Sequence, residues 1–112
     1  ITENGLPDAA DRLRPAFLLD HLRQIWHAIS FCYPVMGYYH WSLVDNFEWD
    51  RGWTQRFGLV EIDPVTQERT WRPSAYLYQE ICRSYSLNDD MAARYAPEIL
   101  EVIWPGNKAL PV

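Results

Sequence analysis

The chain has 112 residues, of which 48% are hydrophobic and 15% aromatic, and these include six Trp and seven Tyr. This size allows one small domain. The net charge of −5 argues against a nucleic acid as partner, because phosphate binding requires clustered positive charge. The sequence contains no apolar run of 18 residues, so we expect neither a membrane span nor a membrane partner.

Two cysteines, Cys32 and Cys82, lie far apart and lack the spacing of metal ligands. A disulfide between them is possible, but buried free thiols are the preferred interpretation and favour a reducing compartment such as the cytoplasm. We expect no cofactor and no metal. Residue 1 already lies within the pattern of a strand end, so we expect the chain to be cut at its front.

Residues 1–5 have the pattern of a strand end followed by a turn, because Ile and Thr favour extended structure and an Asn-Gly pair ends it. Glu3 therefore lies at the tip of a strand, which in an α/β barrel is where catalytic groups are found. The alternative is a solvated Glu at a strand end. A helix is predicted over residues 12–30, with these apolar residues on one face: Leu18, Leu22, Ile25, Trp26 and Ile29.

Residues 35–43 form a nearly continuous apolar run after this helix. Such a run predicts a strand that is buried on both faces, as parallel sheets require. The order is therefore strand end, helix and strand. Because neighbouring parallel strands share a direction, Glu3 and residues 41–49 are expected at the same edge of the sheet.

Residues 40–49 bring together two tryptophans, two carboxyl groups and an amide within ten positions. Indole rings bury a large apolar area and keep an N–H donor, so this composition suits a sugar pocket with an aromatic floor and hydrogen-bonding edges. A half-buried aromatic loop, in which Asp45 and Glu48 are solvated or ion-paired, remains an equal alternative.

The second half of the chain alternates between extended and helical patterns. Residues 58–62 and 69–71 predict two short strands joined by a turn at residues 63–67. A helix is predicted to begin near Pro73, and a further short helix, capped by residues 88–90, to extend through Tyr95. Residues 99–104 are apolar and predicted to be irregular, pinned down on the chain's own body or on a neighbour.

Three motifs in order carry a resemblance to a known family: Ile1-Thr2-Glu3-Asn4-Gly5, Trp41-Ser42-Leu43-Val44-Asp45-Asn46-Phe47-Glu48-Trp49 and Arg56-Phe57-Gly58. They resemble the C-terminal part of a retaining β-glycosidase of glycoside hydrolase family 1, and residues 71–75 resemble its thermophilic archaeal branch. The resemblance implies an α/β fold, namely the last two βα units of a TIM (β/α)₈ barrel that is incomplete without the first six units. Residues 1–112 would form the C-terminal portion of that single domain, with residues 86–112 as a tail at a subunit contact.

The resemblance also implies roles for individual residues. Glu3 corresponds to the catalytic nucleophile. The other positions that match substrate-binding residues are Trp41 beneath the sugar, Glu48 accepting hydrogen bonds from the hydroxyls at C4 and C6, Trp49 donating its indole N–H, and Phe57 near C6. Asp45 and Asn46 are expected to hold the loop rather than to touch sugar.

The family's acid/base residue lies in an Asn-Glu-Pro motif, which this sequence lacks. A full barrel also requires about 250 residues. We therefore expect activity on a β-linked glucoside, galactoside or oligosaccharide only with the remaining part of the barrel, in the same or a second chain, and a homo-oligomer of the complete enzyme. The alternative is a non-catalytic carbohydrate-binding or assembly fragment, although the intact Glu3 favours the enzyme.

Overall fold

The structure is a computed structural model that describes residues 1–105. The α-helices are α1 (Arg14–Ser30), α2 (Pro73–Ser84), α3 (Asp89–Tyr95) and α4 (Leu100–Ile103), and the strands are β1 (Val60–Ile62) and β2 (Arg69–Trp71). Short 3₁₀ helices occupy Trp49–Arg51 and Pro97–Ile99. None of the helices in this part of the chain is long and apolar enough to cross a membrane.

The first helix begins where its free backbone N–H groups find an acceptor. The Asp8 carboxylate accepts hydrogen bonds from the Leu13 and Arg14 amides at 2.7 and 3.1 Å, and Pro15 lies in the first turn, where its missing N–H costs nothing. The predicted apolar face is buried at Leu18, but Trp26 and others near the end of α1 are exposed. That end of α1 therefore lacks a covering layer within the described residues.

Helices α2 and α3 begin at the predicted signals. Pro73 is the first residue of α2, and the Asn88 side chain caps α3 by accepting a hydrogen bond from the Met91 amide at 2.8 Å. The two helices are joined by Glu80, whose carboxylate accepts hydrogen bonds from Arg94 and from the Tyr95 hydroxyl. These two bonds, with Arg94 the larger cause, lower the pKa of Glu80 to about 2.

The prediction that residues 99–104 are irregular is wrong, because the structure places Pro97–Ile99 in a 3₁₀ helix and Leu100–Ile103 in α4. Ile103 is buried against the helical core, so this segment is pinned on the chain's own body. A subunit contact stays a prediction, and residues 106–112 of the predicted tail lie outside the described residues.

One hydrophobic core lies between α1, α2, α3 and the helical segment that follows them. Its buried members are Leu18, Leu19, Leu59, Ala75, Leu77, Met91, Ala92, Ala96 and Ile103. Leu59 extends this core to the segment just before β1. The helices are thereby fixed against the extended segments that carry the predicted site.

Extended segments lie side by side, but the predicted continuous strand over residues 35–43 is wrong. Parallel pairing occurs at two isolated points, Asn4 with His40 and Val44 with Val60, whereas β1 and β2 form the predicted antiparallel hairpin. A long parallel ladder requires long neighbours. Hydrogen bonds join residues 37–41 to residues 1–4 and residues 42–45 to residues 57–60, so the segment pairs with two short neighbours in turn.

The two cysteines are free, as expected, but the prediction that they are buried is wrong. Cys32 and Cys82 are both exposed. Cys32 follows the end of α1 in a left-handed conformation (φ 64°), and Cys82 lies on the face of α2 that lines an open apolar groove of about 1010 Å³. In the described chain no second layer of structure covers this groove.

Candidate active site

Backbone hydrogen bonds bring the tip that carries Glu3 beside Trp41. The Tyr39 amide donates to the Ile1 carbonyl at 3.1 Å, and the Trp41 amide donates to the Asn4 carbonyl at 2.9 Å. The Glu3 side chain is exposed at this position. The prediction that Glu3 and the Trp41 segment emerge at one edge, in parallel orientation, is therefore confirmed.

Gly5 allows this close approach of the two segments. A Cβ atom at Gly5 would lie 1.8 Å from the Trp41 carbonyl oxygen, a backbone atom that has no freedom to rotate away. On the other side, the Tyr38 hydroxyl donates a hydrogen bond to Asn4 Oδ1 at 2.9 Å. Burial raises the pKa of Tyr38, which therefore remains a hydrogen-bond donor at neutral pH.

The side chains of two predicted sugar-binding residues meet. The Trp41 indole Nε1–H donates to Glu48 Oε1 at 3.4 Å, a long hydrogen bond. A tight turn holds Glu48, because its carbonyl accepts a hydrogen bond from the Arg51 amide at 2.7 Å and its amide donates to the Gly52 carbonyl at 2.8 Å. Gly52 has φ of 58°, which favours glycine at that position.

The other two predicted binding residues are placed differently. Phe57 lies beside the start of the loop, since its carbonyl accepts a hydrogen bond from the Ser42 amide at 3.2 Å. Trp49 is 86% exposed, so its indole does not pack against the other candidate residues. Backbone contacts thus place the Glu3 tip and Phe57 beside the Trp41 segment, a side-chain hydrogen bond joins Trp41 to Glu48, and Trp49 projects away.

Asp45 holds the loop from within, as the sequence suggested. It is 3% exposed and accepts two hydrogen bonds from the Arg72 guanidinium, each at 3.0 Å, and one from the Gly58 amide at 2.8 Å. Arg56 Nη1 lies farther away, at 3.5 Å from Asp45 Oδ2. Sequence reasoning missed Arg72 and Gly58 as its partners. The available signal was that a carboxylate within an apolar stretch requires a buried donor.

A second buried ion pair joins the loop after Glu3 to the rest of the chain. Arg14 is fully buried, pairs with Asp11, and donates to the carbonyls of Asp8 at 2.6 Å and Arg56 at 2.8 Å. The Asp11 carboxylate in turn accepts a hydrogen bond from the Ser74 amide at 2.7 Å, which caps α2. Sequence reasoning also missed this cluster.

His40 lies behind the edge that carries the candidate residues. Its ring packs against Tyr78, and neither ring nitrogen has a hydrogen-bond partner in the described part of the chain. Burial, with a smaller contribution from the positive charge of Arg14, lowers the pKa of His40 to about 4. His40 is therefore neutral near pH 7 and serves as a packing group.

The residues described here contain no cluster of three or more His, Cys, Asp or Glu side chains that could hold a metal ion. The chemistry that this edge offers is that of an exposed carboxylate, Glu3, and a half-buried one, Glu48, beside aromatic rings. Such an arrangement suits neutral, hydroxyl-rich ligands, because rings contact C–H faces and carboxylates accept hydrogen bonds from hydroxyls.

Comparison with known proteins identifies relatives for most of the chain. The family model described as glycosyl hydrolase family 1 matches residues 1–86. The β-galactosidase of Sulfolobus acidocaldarius is 44% identical over 91 residues, which cover 81% of this chain and 18% of that protein. Beta-glucosidase A of Thermotoga maritima is 42% identical over 98 residues, covering 80% of this chain and 22% of that protein.

Among solved structures, the β-glucosidase of Pyrococcus furiosus is 43% identical, with a TM-score of 0.82 over 89% of this chain and 21% of its own. The chain thus spans about a fifth of the length of the relatives that it matches. The fold is accordingly that of the last two βα units of a TIM barrel.

Proposed function

Because the chain belongs to glycosyl hydrolase family 1, we propose that it supplies the nucleophile and part of the sugar pocket of a retaining β-glycosidase. The proposed reaction is hydrolysis of terminal non-reducing β-D-glucosides or galactosides. The observation that carries the proposal is the backbone pairing between residues 1–4 and residues 39–41, which sets the Glu3 tip beside the Trp41–Glu48 pair. The names of the relatives, β-galactosidase and β-glucosidase, support this substrate class.

Glu3 is exposed at the tip of its segment, where a bound sugar can reach it. In the proposed first step a Glu3 carboxylate oxygen attacks the anomeric carbon, the bond to the leaving group breaks, and an acid protonates the leaving oxygen. In the second step the same group deprotonates water, which attacks the anomeric carbon and releases Glu3. Two inversions at one carbon give net retention.

The acid/base group is proposed to come from the remaining part of the barrel. Retaining enzymes place the two carboxyl groups about 5–5.5 Å apart. Glu48 is the other carboxylate at this edge, but its Oε1 accepts a hydrogen bond from the Trp41 indole. We assign Glu48 to the hydroxyls at C4 and C6, with Trp41 beneath the sugar, and the chain alone is proposed to be inactive.

Trp49 and Phe57 complete the proposed pocket at its outer and C6 ends. The Trp49 indole is exposed, so its N–H is accessible as a donor to a hydroxyl of a bound sugar. Phe57 is held at the base of the loop by its backbone bond to Ser42. The complete enzyme is proposed to be a homo-oligomer in which residues 99–104 lie near a contact, since Val102 projects from α4.

Trapping the glycosyl ester tests this function. In the complete enzyme that contains this chain, an activated 2-deoxy-2-fluoro-β-glucoside is expected to label Glu3 stoichiometrically. The fluorine slows both formation and hydrolysis of the ester, whereas the activated leaving group speeds only its formation, so the ester accumulates. Mass spectrometry of peptic peptides locates the label. A Glu3→Gln variant is the control and should remain unlabelled. A label on another residue, or release of the α-anomer first in an NMR time course, would contradict the proposal.

The carboxylate at Glu48 predicts a preference for unphosphorylated sugars. The kcat/KM for a glucoside should exceed that for its 6-phosphate by about 100-fold or more, since like charges roughly 4 Å apart repel by a few kcal/mol in a partly buried site. Steady-state kinetics on 4-nitrophenyl β-glucoside and its 6-phosphate measure this ratio. Replacing Glu48 by Ser should lower the ratio of the two kcat/KM values. A wild-type preference for the 6-phosphate would refute the assignment of Glu48 to the C4 and C6 hydroxyls.

A further inference from the structure

The loop that carries Glu48 is closed at its base by paired backbone segments. The Asp45 amide donates to the Val60 carbonyl at 3.0 Å, and the Leu59 amide donates to the Ser42 carbonyl at 2.9 Å. Residues 46–57 project beyond this base and include three of the candidate sugar contacts. The contacts that fix the base of the loop therefore limit the positions of those three side chains.

A buried ion pair lies at that base. Arg72 Nη1 and Nη2 donate to Asp45 Oδ1 and Oδ2, each at 3.0 Å, and both residues are at most 4% exposed. Two parallel hydrogen bonds from one guanidinium fix the orientation of a carboxylate as well as its position. Arg72 immediately precedes α2, so the loop is attached to a rigid helix.

Gly58 joins both members of this pair to the second stem of the loop. Its amide donates to Asp45 Oδ1 at 2.8 Å, and its carbonyl accepts a hydrogen bond from Arg72 Nη1 at 2.6 Å. A Cβ atom at Gly58 would lie 2.2 Å from the Asp45 nitrogen, so no side chain fits between the two stems. The stems are therefore locked in a single register.

Glu48 follows Asp45 by three residues, and the segment between them has a further tie. Asn46 Nδ2 donates to the Ser42 hydroxyl at 3.4 Å. At the far end, the Glu48 carboxylate meets the Trp41 indole. A rotation of the Asp45 backbone is therefore transmitted over only three residues to the Glu48 carboxylate.

We propose that the Asp45–Arg72 ion pair is a positioning device that sets Glu48 for recognition of the sugar's C6 hydroxyl. This inference rests on the proposed function, since it requires Glu48 to accept that hydroxyl. Asp45 and Arg72 are buried beneath the loop and act through Glu48, which makes them positioning residues. Their contribution is to selectivity between sugars that differ at C6.

A substrate pair that differs by one oxygen atom isolates this role. A site built to accept a hydrogen bond from a hydroxyl rejects the analogue that lacks it. In the full-length protein, kcat/KM is measured for 4-nitrophenyl β-D-galactoside and for the β-D-fucoside, which is its 6-deoxy form. Asp45→Asn is expected to reduce the galactoside-to-fucoside ratio by about tenfold, and Arg72→Lys to reduce it less, because one charged hydrogen bond survives.

Asp11→Asn is the matched control, because Asp11 is also a buried carboxylate paired with a buried arginine, Arg14. The Asp11 carboxylate itself contacts Arg14 in α1 and Ser74 in α2, and it reaches the loop only indirectly, through the hydrogen bond from Arg14 to the Arg56 carbonyl. It is expected to lower the thermal midpoint about as much as Asp45→Asn, with the substrate ratio unchanged within about twofold. All assays are run below the midpoint of the least stable variant.

The outcomes separate this inference from the proposed function. Two results together support Glu48 as the acceptor of the C6 hydroxyl. The wild-type enzyme hydrolyses the galactoside faster than the fucoside, and the Glu48→Gln variant loses that preference. If Asp45→Asn and Arg72→Lys then keep the wild-type ratio, the positioning role is overturned while the function stands. An equal loss of ratio in Asp11→Asn also overturns it, because general destabilisation would then suffice. Absence of hydrolysis by wild type overturns both.

Discussion

Replacing Glu3 by Gly is expected to abolish turnover in the complete enzyme that contains this chain. If Glu3 is the nucleophile, as proposed, no glycosyl ester forms without its carboxylate, and removal of a covalent nucleophile costs about 10⁴-fold or more in kcat. Glu3 is exposed beside Trp41, so its removal opens space at the anomeric carbon without emptying the core. Added formate should occupy that space, attack the anomeric carbon in its place, and restore measurable turnover.

Glu68→Gly is the control for the loss of a carboxylate in general. Glu68 is exposed in the turn before β2, away from the edge that carries Glu3. Its removal should leave kcat/KM within about twofold of wild type and produce no response to formate. Near-normal turnover by the Glu3→Gly variant in the absence of formate would contradict the assignment of Glu3 as the nucleophile.

Residues 1–112 are not expected to fold cooperatively when expressed alone. Large apolar side chains stand exposed along the end of α1 and the following segment: Trp26, Ile29, Phe31, Tyr33, Met36, Tyr39 and Leu43. They continue into the open apolar groove between α1 and α2. Exposed apolar area of this extent leads to association, and pairing at the sheet edge is left incomplete.

Near-UV circular dichroism combined with size exclusion measures this outcome. The isolated chain should give a weak near-UV signal, a broad thermal transition and elution as an aggregate or an expanded species. The full-length protein is the control, and it should melt sharply. A cooperative transition from a monomer of residues 1–112 would show that the helical core around Leu18 and Leu77 suffices, and the prediction would be wrong.

Local chemistry determined the helices and the hairpin. Pro73 and Asn88 mark the starts of α2 and α3 through effects confined to one turn, namely a missing N–H and a side-chain acceptor. The β1–β2 hairpin follows from a turn in which the Asp63 carboxylate accepts hydrogen bonds from the amides of Val65 and Thr66. Such signals act between residues a few positions apart, so they can be read from the order of residues.

The motifs around Glu3 and Trp41 were likewise recognisable in the sequence, and so was their meeting at one edge. That inference required only a helix of the length of α1 between two extended segments, since this connection places parallel neighbours side by side. The resemblance of the motif to its family also implied that Asp45 holds the loop rather than touching sugar.

Tertiary structure alone decided which partner Asp45 takes. The nine arginines of the chain are equivalent in sequence terms, and only the folded arrangement brings Arg72, 27 positions away, to within 3.0 Å. The same holds for Arg14, whose partners include the carbonyl of Arg56, 42 positions away. Contacts of this kind depend on how helices pack on the extended segments, which no local pattern encodes.

Burial was also decided at the tertiary level. Cys82 was expected inside, yet it is exposed on a groove that the described chain leaves uncovered, and residues 100–103 became helical because Ile103 packs into the core. Residues 35–43 carry the composition of a buried strand but pair only where a neighbour is present. An apolar sequence favours burial and pairing of a segment, whereas the surrounding structure determines whether that segment is in fact buried and paired.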